Sequence, residues 1–184
     1  MVSLETPVCE FNKAAVDFSL PGVDGKDWSL AECAGEKGLL VMFICNHCPY
    51  VIHVNDELIR LCEDYKNLGI GFVAISPNDV ENYPQDGPDK MKIHAEKIGY
   101  NFPYLYDESQ DIAKAYDAAC TPDLYVFDKS NKLFYRGRID DARPGTGKEI
   151  TGVDIRNAID SMIKGGNPPE IQYPSGGCNI KWKK

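Results

Sequence analysis

The chain has 184 residues, 43% of them hydrophobic and 26% charged, the composition of a globular protein long enough to bury a full core. Its net charge of −8 argues against a phosphate-backbone partner, so no nucleic acid is expected to bind. No apolar stretch approaches the roughly 18 to 20 residues that span a bilayer, and no basic region followed by an apolar run opens the chain. A cytoplasmic protein without a membrane partner is expected, with its thiols kept reduced.

In chain order, Phe18 to Lys26 reads as a short strand entering a glycine-rich turn, and Leu39–Ile44 as a strand buried on both faces. Val51, Val54, Leu58, Leu61, Tyr65 and Leu68 then recur at steps of 3 and 4, one apolar stripe of a helix that Gly69 stops. Ile70–Ile75 is a second buried strand, which completes a right-handed βαβ unit. Asn82 to Asp89 is a two-proline loop, Asp89 to Ile98 a helix, Tyr104–Tyr106 a short strand and Ser109 to Tyr116 a short helix. Leu124–Asp128 and Leu133–Arg136 read as an antiparallel hairpin, and Val153 to Lys164 as a closing helix. Residues 167–184 form a tail that either packs on the domain or stays partly mobile. The pattern predicts one α/β layer sandwich over residues 1–184.

Seven cysteines, at 9, 33, 45, 48, 62, 120 and 178, are too scattered for a disulfide framework, and most are expected to be buried hydrophobes. One stands apart. In Cys45-Asn46-His47-Cys48-Pro49-Tyr50-Val51, Pro49 suits the first helical position, where its missing N–H would have no partner anyway. Cys48 then falls on the N-cap, at an exposed helix start where free N–H groups and the helix dipole stabilise a thiolate. His47, if protonated, would add to that stabilisation.

This segment resembles the active-site strand, loop and helix start of thioredoxin-fold proteins. The resemblance extends over residues 14–184 to the peroxiredoxin-like proteins of the alkyl-hydroperoxide-reductase/thiol-specific-antioxidant superfamily. It is carried by Asn46–Val51, Tyr83-Pro84-Gln85-Asp86, Cys120-Thr121-Pro122-Asp123, Tyr135–Asp141 and Gly177–Lys183. It implies a thioredoxin-like three-layer sandwich with a mixed central sheet, Cys48 as nucleophile, and a cis-proline at Pro122 with Thr121 offering backbone groups to substrate. His47, Pro49, Thr121 and Pro122 are the expected substrate-binding residues. Val51 stands where the resolving cysteine of a thioredoxin pair would be, which leaves Cys45, Cys120 and Cys178 as candidates for that part.

Thiol–disulfide exchange is the expected chemistry, with a protein or small-molecule disulfide as substrate and a separate thiol as reductant. The alternative is a peroxidase acting on hydroperoxides. However, Val41 and Cys45 replace the proline and hydroxyl of the usual peroxidatic pattern, and Arg136 and Arg138, on a hairpin, are expected to be solvated. A metal-binding or redox-inactive module is the further alternative. Cys45, His47, Cys48 and His53 supply soft ligands at a spacing that fits structural zinc poorly, so no metal and no cofactor are expected. His94, in a polar helix, is expected at the surface.

Overall fold

The computed structural model describes residues 3–7 and 10–184; Cys9 lies outside the described residues. In chain order the strands are β1 (Ser3–Glu5), β2 (Ser19–Pro21), β3 (Asp27–Ser29), β4 (Gly38–Phe43), β5 (Ile70–Ser76), β6 (Tyr104–Tyr106), β7 (Cys120–Thr121), β8 (Asp123–Asp128), β9 (Leu133–Arg136) and β10 (Gly176–Asn179). The helices are α1 (Leu30–Cys33), α2 (Pro49–Tyr65), α3 (Pro88–Ile98), α4 (Asp111–Ala115) and α5 (Val153–Ile163).

The central sheet has the order β6-β5-β4-β8-β9. β4, β5 and β6 run parallel to one another, whereas β8 is antiparallel to both β4 and β9, so the sheet is mixed. Side chains on a strand alternate between faces, and β4 divides its apolar run accordingly. Leu40 and Met42, with Ile44 just beyond the strand, pack in one cluster with Val51, Val54, Leu58 and Leu61 of α2 and Ile155 and Ile159 of α5. Leu39, Val41 and Phe43 pack in the other, with Leu30 and Cys33 of α1, Ala113 of α4 and Tyr116. Two helical layers therefore cover the two faces of one sheet, in the thioredoxin-like three-layer arrangement.

The apolar stripe of α2 is buried as its period demands, except that Leu68 lies in a short 3-10 turn and is exposed. Gly69, at φ 93°, then closes the helix in a left-handed conformation that a side chain would disfavour. The tail contributes β10, which lies between β1 and β7 in a second, three-stranded sheet. Further along, the tail is pinned where Lys181 N–H donates to Asn78 Oδ1 at 2.9 Å.

Two expectations about charged and polar side chains need correction. Arg136 is not solvated: it is 6% exposed, its Nη2 donates to Asp123 Oδ2 at 2.8 Å, and its guanidinium lies 4.6 Å from the centre of the Tyr125 ring. The Asp117 carbonyl and the Gln172 Oε1 both accept from Arg136, so the usual exposure of a hairpin arginine does not apply. His94 is half-buried against Tyr100, because α3 turns that side toward β6 rather than toward water.

Candidate functional site

The chain leaves β4 at Phe43, makes a short loop, and enters α2 with Pro49 at the first position and Cys48 as N-cap at φ −71° and ψ 119°. The proline is exposed, but the cysteine is not: Cys48 is 0% exposed, which corrects the expected open helix start. Two segments far along the chain cover it. The Thr121–Pro122 peptide, which is cis, brings the Thr121 carbonyl to accept from the Cys48 thiol at 3.0 Å. From the tail, Cys178 hydrogen-bonds the same sulfur.

The Cys48 thiol is pulled well below the ordinary thiol range, first by a hydrogen bond from Cys45 and then by others from Thr121, Cys178 and the Val51 N–H; burial opposes the shift. The geometry leaves the cap itself unmade, because no side-chain capping bond forms at Cys48, so the Val51 N–H assists the anion without holding the thiol. The Thr121 carbonyl acts the other way, since it accepts from the protonated form and must lose that bond on ionisation. Four donors outweigh one acceptor and the desolvation cost. Cys45 moves oppositely, pushed up by its hydrogen bond to Cys48, by burial and by the Asp86 charge. The two sulfurs shift in opposite directions because the hydrogen bond between them favours ionisation of Cys48 over that of Cys45.

Asp86 anchors the loop that carries these groups. It is fully buried in a two-proline segment and accepts from Asn46 N–H at 3.0 Å, Asn78 Nδ2 at 2.9 Å and His47 Nδ1 at 2.6 Å. The His47 ring also stacks on Tyr83, with centroids 5.7 Å apart and planes 7° from parallel, and its Nδ1 lies 3.9 Å from Cys45 Sγ. Reasoning from sequence missed this carboxylate as a site residue, although Asp86 belongs to a motif that carries the family resemblance. Its partners beside the cysteines, His47 and Asn46, are 39 and 40 positions away, and no local spacing announces them.

The same atoms define the metal question. Cys45, His47 and Asp86 offer donor atoms within 4.8 Å of one another, so Asp86 replaces Cys48 and His53 in the group first suspected. Two ligands of a tetrahedral zinc with bonds of about 2.0–2.1 Å stand roughly 3.3 Å apart. The His47–Asp86 contact is 2.6 Å, the distance of a short hydrogen bond. As arranged, these residues fit a hydrogen-bonded dyad rather than an ion. His53 lies instead along a small cavity with Tyr50, Pro122, Arg138 and Arg143.

Cys120, one of the three candidate resolving thiols, turns its thiol to the carbonyls of Pro122 at 3.5 Å and Ser175 at 3.9 Å. Thr121 reaches the cysteine pair from both ends: its carbonyl accepts from Cys48, and its Oγ1 lies 3.6 Å from Cys45 Sγ. Pro122 is buried behind it. A groove of about 570 Å³ lined by Trp28, Tyr100, Phe102 and Tyr104 includes no cysteine, so volume does not locate the thiol cluster.

A profile of the AhpC/TSA family matches residues 11–136. Among curated relatives, the thiol-disulfide oxidoreductase ResA of Halalkalibacterium halodurans is 24% identical over 119 residues, covering 65% of this chain and 63% of that protein. A Mycobacterium tuberculosis protein described only provisionally as a peroxiredoxin is 25% identical, over 59% of this chain and 64% of its own. The chain thus spans just under two thirds of the length of both. Among solved structures, an uncharacterized conserved protein from Geobacillus kaustophilus is 51% identical with a TM-score of 0.97, covering 100% of this chain and 97% of that one. The thioredoxin domain of a Bacteroides vulgatus thiol-disulfide oxidoreductase, 16% identical, shares the fold at a TM-score of 0.66 over 85% of this chain and 99% of its own. No helix among the described residues is long and apolar enough to cross a membrane.

Proposed function

We propose, from the premise that this chain belongs to the AhpC/TSA family, that it is a thiol–disulfide oxidoreductase with Cys48 as its nucleophile. The observation that carries this reading is the placement of one sulfur at a helix N-cap among hydrogen-bond donors that favour its thiolate. The thiolate is the form that attacks a disulfide. The Cys48 anion bonds to one substrate sulfur, the substrate S–S bond breaks, and the electron pair leaves with the other sulfur, which takes up a proton. His47, fixed by Asp86 and Tyr83 and in contact with Cys45, is placed to trade a proton with the cysteine pair. A second thiol then resolves the mixed disulfide, and an external thiol restores the reduced chain.

Thiolate ultraviolet absorbance, titrated in the protein and in Cys48→Ser, tests the nucleophile without requiring access by a reagent. The expected result is a difference curve with a midpoint well below the free-thiol value of about 8.5, together with loss of disulfide-reducing turnover in the variant. A midpoint at or above that value, or full turnover in Cys48→Ser, overturns the reading. The peroxidase reading keeps one support, the family's peroxiredoxin members. Rapid sulfenic acid formation at Cys48 with low hydroperoxide, faster than its reaction with a disulfide, would put that reading first.

A further inference from the structure

We propose that Cys178 is the thiol that resolves Cys48, delivered by a tail strand that lies on the Cys120–Thr121 edge in the manner of an added peptide strand. The inference rests on the thiol–disulfide reading above and supplies the partner that reading leaves open.

Register comes first. β10 pairs antiparallel with β7 through Cys178 opposite Thr121 and Asn179 opposite Cys120. Residues directly opposite in such a pair project to the same face, and successive residues to opposite faces. Cys178 therefore shares the face of Thr121, whose hydroxyl lies 3.6 Å from Cys45 Sγ and whose carbonyl accepts from Cys48. Cys120 is on the other face, toward the Pro122 and Ser175 carbonyls. The register selects Cys178 and sets Cys120 aside.

Closeness of approach comes second. A Cβ on Gly177 would stand 2.1 Å from the Thr121 oxygen and 2.7 Å from its carbonyl carbon. Only a residue without a side chain lets the strand lie this near the carbonyl that also holds Cys48. Gly177 is thus a positioning residue for the thiol that follows it. The strand is held by Ser175, whose Oγ donates to the Pro122 carbonyl at 2.7 Å and whose N–H donates to Thr6 Oγ1 at 3.0 Å. An extended segment adding to a sheet edge beside a reactive group is a common way to recognise peptides. Here the segment belongs to the chain itself and brings a cysteine to the reacting atom.

Cys45 also hydrogen-bonds Cys48, but its sulfur is held in the loop just beyond β4, 3.6 Å from Thr121 Oγ1 and 3.9 Å from His47 Nδ1. A Cys45–Cys48 bond would lie beneath the strap, whereas a Cys48–Cys178 bond joins the strap to the site and comes within reach of an external thiol once the strap lifts. In the step proposed, the Cys178 sulfur attacks Cys48 in the mixed disulfide with substrate. The Cys48–substrate S–S bond breaks, and the substrate sulfur leaves with the electron pair and takes the Cys178 proton. Substrate disulfide ends as two thiols and the chain as one disulfide, a two-electron exchange.

The test is mass mapping of disulfides in the full-length protein after exposure to a small aromatic disulfide, run on wild type, Cys45→Ser, Cys178→Ser and Gly177→Ala. A Cys48–Cys178 bond is expected in wild type and in Cys45→Ser. Cys178→Ser should stop at the probe adduct on Cys48, and Gly177→Ala should resolve that adduct at least about ten-fold more slowly. A Cys45–Cys48 or Cys48–Cys120 bond as the main wild-type product overturns the inference, whether or not the variants fold, and so does wild-type resolution in Cys178→Ser. If Cys48 forms adducts but pairs elsewhere, only this inference fails. If Cys48 takes no adduct, the exchange reading fails with it.

Discussion

Burial alone drives a thiol toward protonation, and several cysteines of this chain obey that rule. Burial pushes Cys33 up to about 12 and Cys62 up to about 11. Cys48 is at least as inaccessible, yet it moves the other way, because donors from Cys45, Thr121 and Cys178 converge on its sulfur. The consequence is a stability slope. A group whose folded pKa lies below its unfolded value adds stability that is complete above the unfolded value, about 8.5, and is lost as pH falls through the folded one. The unfolding free energy of the protein minus that of Cys48→Ser should therefore rise with pH between acid and about pH 8, and denaturant titrations at several pH values check it. A flat difference would mean that Cys48 titrates alike in both states. Asp86 is the second residue of consequence, since its carboxylate accepts three bonds with no exposed surface. Asp86→Asn replaces an acceptor oxygen with a donor and should cost about 1–3 kcal/mol in chemical denaturation, while releasing the His47 ring. Wild-type stability with an immobile ring would remove Asp86 from the site.

Among the elements, α2 links Cys48 to the opposite edge of the helical layer. Its apolar stripe was legible because an amphipathic helix repeats its pattern within a few turns. Glu57 was not, since a glutamate beside that stripe reads as solvated. In the structure it is 2% exposed, and its carboxylate accepts from Arg156 Nε of α5 at 2.7 Å and Arg60 Nε at 2.8 Å. Arg156 also donates to Asp64 at 2.7 Å, so the α2–α5 contact has a second tie. Glu57→Ala should destabilise the protein by about 1–2 kcal/mol, less than a fully buried broken pair, because both arginines keep some exposure and Arg156 keeps Asp64. Thermal and denaturant unfolding measure this, and a change within a few tenths of a kcal/mol would show the tie to be incidental.

At the scale of the whole molecule, the site is assembled from four places: residues 45–48, Asp86, Thr121 and Cys178. The first was legible from its flanking proline and strand–helix switch, and the place of Pro122 from the family resemblance. The other contacts were not, because pairing between distant segments depends on register and on which strand edge is free, and neither leaves a local periodic mark. The tail illustrates this. Gly176–Asn179 has no strand propensity to speak of, and its pairing follows from the close approach that Gly177 permits. Both cysteines are closed to solvent, Cys48 at 0% exposed and Cys178 at 2%. Reagents must then wait for an opening, either of the strap alone or of the entire chain. Ser175→Ala separates these routes by deleting the 2.7 Å bond to the Pro122 carbonyl. Loss of about 1 kcal/mol from the closed state should raise the open population, and with it the alkylation rates of both Cys48 and Cys178, roughly five-fold. Cys62, buried near the far end of α2 with its thiol donating to the Asn101 carbonyl at 3.5 Å, should keep its wild-type rate. If all three cysteines accelerate together, exposure occurs by global unfolding and the strap is not the gate.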